Sequence, residues 1–150
     1  MSEMSRMTTE FERLYAGRLW GIMSWLQLSE FWQRIDADAG WYLYAVGEPA
    51  PTTPSAPEET RQFVHRIDEL LRKEHHEDYC GIVYADDVQA PRFVKIYDPN
   101  HLGSSCGSSK HPPLPGWIMS LAPTVDLKPS GHIPAARRRW WQSLFSSAGE

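Results

Sequence analysis

Residues 101–111, HLGSSCGSSKH, concentrate side chains that can do chemistry. Cys106 lies among glycines and serines, between His101 and His111, and Lys110 directly precedes the second histidine. Such a set could form a nucleophilic thiol, a metal site or a cradle for an anion. Each of these sites makes its own demands on residue spacing and on the elements that hold the residues.

A catalytic Cys106 would need its thiol pKa lowered by a cation, a histidine or a helix N-terminus. His101, Lys110 and His111 are close in sequence, but a general base must be held within hydrogen-bond distance of the thiol. No orienting acid and no oxyanion motif is recognisable beside them. We therefore expect no catalytic residue, and Cys106 is kept as the candidate thiol of an alternative, enzymatic function.

A metal site could draw on His101, Cys106 and His111, which follow one another at intervals of five positions. Zinc ligands usually come in pairs two to four residues apart, and structural sites hold four of them. The spacing here matches neither pattern. The metal site remains an alternative, and we expect no cofactor.

An anion site could use Ser105, Cys106, Ser108 and Lys110. A phosphate-binding loop works by leading into a helix whose first N–H groups face the anion. Prolines follow Lys110 almost at once, at positions 112, 113 and 115, and they prevent a helix from starting there. The anion hypothesis is therefore limited to a nest, in which successive backbone N–H groups of a loop bind the anion without a helix.

The composition is that of an ordinary globular chain of 150 residues, with 41% apolar and 23% charged residues. Its two cysteines cannot make a disulfide framework. The N-terminus lacks a basic region followed by an apolar core, so it does not resemble a secretory signal. The longest apolar stretch, Leu14–Leu28, contains Arg18 and is too short to span a membrane. We expect a soluble, cytoplasmic protein.

Apolar periodicity predicts one α+β domain over residues 1–150. Thr9 and Glu12 have capping-box spacing, and helical periodicity continues to Leu26. After a bend near residues 27–29, Ser29 is expected to cap a short helix. The clearest helix is 58–75, and a C-terminal helix is expected over 134–145. Strands are predicted at 41–46, 80–85, 93–97 and 117–121. The expected fold is a small mixed or antiparallel sheet of about four strands, with two amphipathic helices on one face and a C-terminal helix.

Aromatic and proline-rich segments favour binding of another protein over catalysis. The stretch PPLPGW, residues 112–117, combines polyproline character with an aromatic residue. The tail ARRRWWQSLF adds paired tryptophans beside arginines. The residues expected to contact the partner are Pro113, Pro115, Trp117, Trp140 and Trp141. The hypothesis is a small accessory protein that acts by protein–protein binding.

Two other partner classes follow less directly from the sequence. The net charge is −4 and is unevenly spread: residues 1–109 are acidic and residues 110–150 are basic, and an acidic body argues against the broad basic face of a general nucleic-acid binder. Peripheral membrane association through the helix over residues 134–145 is a second alternative. Consecutive arginines point in several directions around a helix, which argues against a single membrane-facing polar side.

Overall fold

The computed structural model describes residues 8–101, 114–127 and 135–146, and its centre is a five-stranded antiparallel sheet. The spatial order of the strands is β1-β3-β4-β5-β2. Their bounds are Trp20–Ile22, Tyr42–Ala45, Val83–Ala85, Phe93–Ile96 and Trp117–Ser120, for β1 to β5. The predicted α+β class is confirmed, and the sheet is antiparallel with one strand more than expected.

Four α-helices accompany the sheet in the described residues. They are α1 (Glu10–Ala16), α2 (Trp25–Gln33), α3 (Pro57–Glu74) and α4 (Ala135–Ser146). In α3, Pro57 occupies the first helical turn, where its missing N–H costs nothing. The Glu59 side chain accepts a hydrogen bond from the Ala56 N–H at 3.0 Å, and Arg72 and Lys73 lie in the last turn.

The N-terminal region differs from the predicted long helix. The Thr9–Glu12 capping box is present, but α1 ends at Ala16 and the chain then enters β1. Ser24, rather than Ser29, caps α2, because the Gln27 N–H donates to the Ser24 hydroxyl at 3.0 Å. The apolar residues from Trp20 to Ile22 therefore serve a strand. Tertiary pairing with β3 has overridden a helical period that the sequence carries across this segment.

The sheet is packed on both of its faces. One face bears Leu43, Val94 and Met119, which join the buried side chains of α2, α3 and α4 in the main core. The other face bears Phe93 and Ile118, which α1 and the 121–127 segment cover. Strand alternation assigns neighbouring residues to opposite faces.

None of the helices in the described ranges is both long enough and apolar enough to cross a membrane.

Candidate functional site

Most of the 101–111 segment lies outside the described residues. This holds for Ser105, Cys106, Ser108, Lys110 and His111, and also for Pro113. The backbone of His101 ends a short 3-10 turn that begins at Pro99. The thiol, metal and anion hypotheses for this segment stay predictions. Within the described residues, no group of three or more His, Cys, Asp or Glu side chains is arranged to hold a metal ion.

The tryptophans expected to meet a partner pack within the protein. Trp117 is 3% exposed, and its ring meets that of Trp140 edge-on at a centroid distance of 5.4 Å. Trp141 meets Phe63 of α3 in the same geometry at 6.0 Å. Pro115 is also buried. These contacts fix α4 against β5 and α3.

A second set of contacts holds α4 through charge. The Arg137 guanidinium donates to both carboxylate oxygens of Asp98, at 2.8 and 3.0 Å, and to Glu74 at 2.6 Å. It also lies over the ring of Trp117, 5.9 Å from the centroid. The Arg137 guanidinium, by its hydrogen bond and its charge, holds the pKa of Glu74 below its ordinary value. This cluster anchors the helix, and its partially buried charges are satisfied.

Large apolar side chains are exposed around β1, which is an edge strand. We call four of these residues the β1 rim: Trp20 of β1, Met23 directly after it, Leu26 in the first turn of α2, and Tyr79. Tyr79 is held near β1 because the N–H of the next residue, Cys80, donates to the Met23 carbonyl at 2.8 Å. The exposed fractions are 52% for Trp20, 55% for Met23, 69% for Leu26 and 51% for Tyr79. An exposed apolar patch of this kind often marks an interaction site.

The rim rests on a rigid base. The Trp25 indole N–H donates to the Glu77 carbonyl at 3.1 Å, and the Arg72 guanidinium lies 5.3 Å from the Trp25 ring. The buried His75 ring is within 2.9 Å of the Cys80 carbonyl. Gly81 has φ of +70°, a left-handed conformation that suits glycine. The chain that carries Tyr79 is therefore fixed to α2 and to the end of β1.

The backbone of Gly21 presents its polar groups to the open edge. The Asp86 N–H donates to the Phe93 carbonyl of β4. In an antiparallel sheet every second residue directs its backbone N–H and C=O toward the same neighbouring strand, so those of Tyr84, two residues before Asp86, also point toward β4. Gly21 is directly opposite Tyr84 on β1. Its own N–H and C=O consequently face away from β3. A Cβ at Gly21 would lie 3.2 Å from the Tyr84 ring, which fits the close spacing of a non-hydrogen-bonded pair.

The two edge strands of the sheet, β2 and β1, differ in what lies beside them. Beside β2, the Ser55 N–H of the proline-rich connector donates to the Trp41 carbonyl at 2.8 Å. At β1 the strand residues are Trp-Gly-Ile, without a charge or a proline among them. Charges, prolines and covering loops are the usual protection of an edge strand. In the part of the chain that the structure describes, no residue outside β3 bonds the backbone of Gly21, so of the two edges the β1 edge is the one open to pairing there.

A second unusual feature lies on the α1 side of the sheet. Lys95 of β4 is half-buried, and its amine is 3.8 Å from the centroid of the Tyr15 ring. Burial lowers the pKa of Lys95 and raises the pKa of Tyr15 to about 12 and that of Tyr97 above its ordinary value. Tyr84 of β3 is the cross-strand neighbour of Lys95, and its ring meets the Tyr97 ring edge-on at a centroid distance of 5.8 Å. A lysine with this environment is a candidate ligand-binding group.

The sequence contains signals for both features. In FVKIY, residues 93–97, a lysine interrupts an otherwise apolar strand, which could have singled out Lys95. Trp20, Met23 and Leu26 lie in a stretch whose helical period concealed an edge strand. Comparison of the chain with protein-family models, with curated proteins and with solved structures finds no match.

Proposed function

We propose that the protein acts by binding another protein, and that an extended segment of that partner pairs with β1. The observation that carries the proposal is the β1 rim itself. β1 is a three-residue edge strand without a charge or a proline, and four large apolar side chains on it or near it are about half exposed or more. Pairing on a sheet edge gives affinity through main-chain hydrogen bonds and specificity through side-chain contacts.

The pairing would be centred on Gly21. Its outward N–H and C=O can exchange two hydrogen bonds with one residue of the added strand. Trp20 and Leu26 offer large exposed apolar contact areas near that strand, in the way that aromatic and aliphatic anchors dominate interfaces. Because the rim is already held by α2 and by the 75–81 segment, little ordering is needed on binding.

The charges around the rim suggest the chemistry of the partner. Arg18 lies 5.9 Å from the centroid of the Trp20 ring, at the start of β1. Glu77 and Asp78 are exposed beside Tyr79, near the other end. Complementary charges orient a bound segment more than they strengthen it. We expect an apolar extended segment with an acidic residue at the Trp20 end and a basic residue at the Tyr79 end.

Site-specific photocrosslinking in the source cells tests this function. A photoreactive amino acid replaces Leu26 in one variant and His65, an exposed residue of α3, in a matched control. We expect one other protein to be crosslinked from position 26 and not from position 65. The purified partner should then bind the wild-type protein and lose at least tenfold in affinity with Leu26→Asp.

Two results would overturn the proposal. Equal crosslinking from both positions would show that the rim has no special role. Crosslinking of position 26 to further copies of this chain, with no second protein, would identify self-association in place of a partner. Unchanged thermal unfolding of Leu26→Asp is the control for folding, and it is expected because Leu26 is 69% exposed.

A further inference from the structure

We propose that Lys95, Tyr15 and Tyr97 form a binding site for a ligand that joins an anionic group, carboxylate or phosphate, to a flat apolar body. Lys95 and Tyr15 lie on the sheet face opposite the main core, and Tyr97, which follows β4, also packs against the main core. Its three donor groups belong to α1, β4 and the residue that follows β4, so none of them lies on β1.

Among the residues that the structure describes, none supplies a counter-charge to Lys95. Among the described residues no carboxylate lies within 4 Å of its amine, and every acidic residue of the chain except Glu3 and Glu150 is described. The contact that the amine does make is with the Tyr15 ring. A half-buried ammonium loses hydration without an ion pair to offset the loss, and a bound anion would supply one.

Two tyrosines surround the lysine: the amine contacts the ring of Tyr15, and the ring of Tyr97 meets that of Tyr84, the residue paired with Lys95. In the described part of the chain, the hydroxyls of Tyr15 and Tyr97 make no hydrogen bond, whereas Tyr44 and Tyr84 each bond a backbone carbonyl. The Tyr97 hydroxyl is close enough to Tyr15 to contribute to the raised pKa of Tyr15. Both phenols therefore stay protonated at neutral pH and can donate.

These three donors are open to a ligand. Among the described residues, no fully buried side-chain nitrogen or oxygen lacks a hydrogen bond. The Lys95 amine and the two unbonded hydroxyls must therefore reach the surface. An ammonium group and two phenol hydroxyls can all donate hydrogen bonds, and the positive charge of the ammonium favours an anion as their acceptor. The rings of Tyr15, Tyr84 and Tyr97 provide flat apolar walls, which favour a planar body attached to that anion.

Titration of the purified protein with defined probes tests the site. Benzoate and phenyl phosphate carry both required features, acetate and inorganic phosphate carry the anion alone, and benzyl alcohol carries the ring alone. Lysine methyl groups introduced by reductive ¹³C-methylation report on Lys95 and Lys73 separately by NMR. We expect benzoate or phenyl phosphate to shift the Lys95 signal and to bind at least tenfold more tightly than the partial probes; which of the two binds better distinguishes carboxylate from phosphate.

Variants provide the second arm of the test. Lys95→Met should weaken binding of the better probe about tenfold or more, since a charge-assisted hydrogen bond is lost, and Tyr97→Phe should weaken it by a smaller factor. Lys73→Met, on the exposed surface of α3, is the matched control and should bind as the wild type does.

The contrary results are equally specific. Equal shifts of the Lys95 and Lys73 signals, or a Lys95→Met affinity equal to that of the wild type, would overturn the site. The methyl signals of the wild-type protein give this answer even where a variant fails to fold. No partner protein enters the titration, so its failure would leave the binding role of β1 untouched.

Discussion

Arg137 of α4 and Asp98, just after β4, are joined by two hydrogen bonds of 2.8 and 3.0 Å between the guanidinium and both carboxylate oxygens. The side chains are 15% and 8% exposed. Such a bidentate pair fixes direction as well as distance. It attaches the C-terminal helix at the point where β4 ends, and it leaves the paired tryptophans of that helix facing the core.

Removal of this anchor should destabilise the protein. Arg137→Ala leaves the carboxylates of Asp98 and Glu74 without their cation in a largely desolvated place, so we expect a loss of about 3 kcal/mol in the free energy of unfolding. Urea denaturation measures it. Arg61→Ala, which breaks exposed ion pairs on α3, is the control and should cost less than about 1 kcal/mol. Equal losses for the two variants would contradict an anchoring role.

The same cluster predicts how stability depends on pH. Since the native pKa of Glu74 is lowered from 4.5, its contribution is fully present above that value and is lost as the pH falls through the lowered pKa. The stability difference between wild type and Glu74→Gln should therefore be constant near neutral pH and should shrink on acidification. Urea denaturation at about pH 6 and about pH 3 compares them. A difference that grows toward acid would contradict the assignment.

Trp117 should behave as a core residue. Trp117→Ala opens a large cavity between β5 and α4, and we expect it to cost about 3–5 kcal/mol in the free energy of unfolding. Trp20→Ala removes an equally large side chain that is half exposed, and it should cost far less. Thermal unfolding followed by calorimetry compares them. Similar losses would mean that the β1 rim is as much a part of the folded core as β5 is.

Cys80 should be inert in the native protein. It is fully buried, and burial raises the pKa of its thiol. A Cys106→Ser variant leaves Cys80 as the remaining thiol. We expect a thiol reagent at about pH 8 to label this variant in denaturant and to leave it unlabelled in native buffer. Rapid labelling of the folded variant would show that the 75–81 segment opens readily.

The apolar patterns of the sequence correctly predicted those helices and strands that bury one clear side against the rest of the protein. The 57–74 helix has a strong apolar stripe, and the hairpin strands around Asp86 are rich in branched and aromatic residues. Those patterns agree with the tertiary structure because each element buries one clear side. The tail arginines gave no such local indication: Arg137 reads as one of three solvated charges until Asp98 and Glu74, far away in sequence, are placed beside it.

The candidate sites were harder to predict because they depend on pairing between strands. Nothing local reveals that Gly21 faces an open edge, since this follows from the register of β1, β3 and β4 together. The isolation of Lys95 from every described carboxylate is likewise a property of the assembled sheet. Tryptophans such as Trp117 and Trp140 are common in protein–protein interfaces, but in this fold the two rings pack against each other.

A comparison of two substitutions at Gly21 tests the strand-pairing account most directly. Gly21→Pro and Gly21→Ala both add a Cβ, but only proline removes the outward N–H, which the β1–β3 pairing does not use. With the partner obtained by crosslinking at position 26, and with both variants shown to be folded, their affinities are measured by calorimetry. We expect Gly21→Ala to bind the partner and Gly21→Pro to bind it at least tenfold more weakly. Equal affinities of the two variants would contradict pairing at β1.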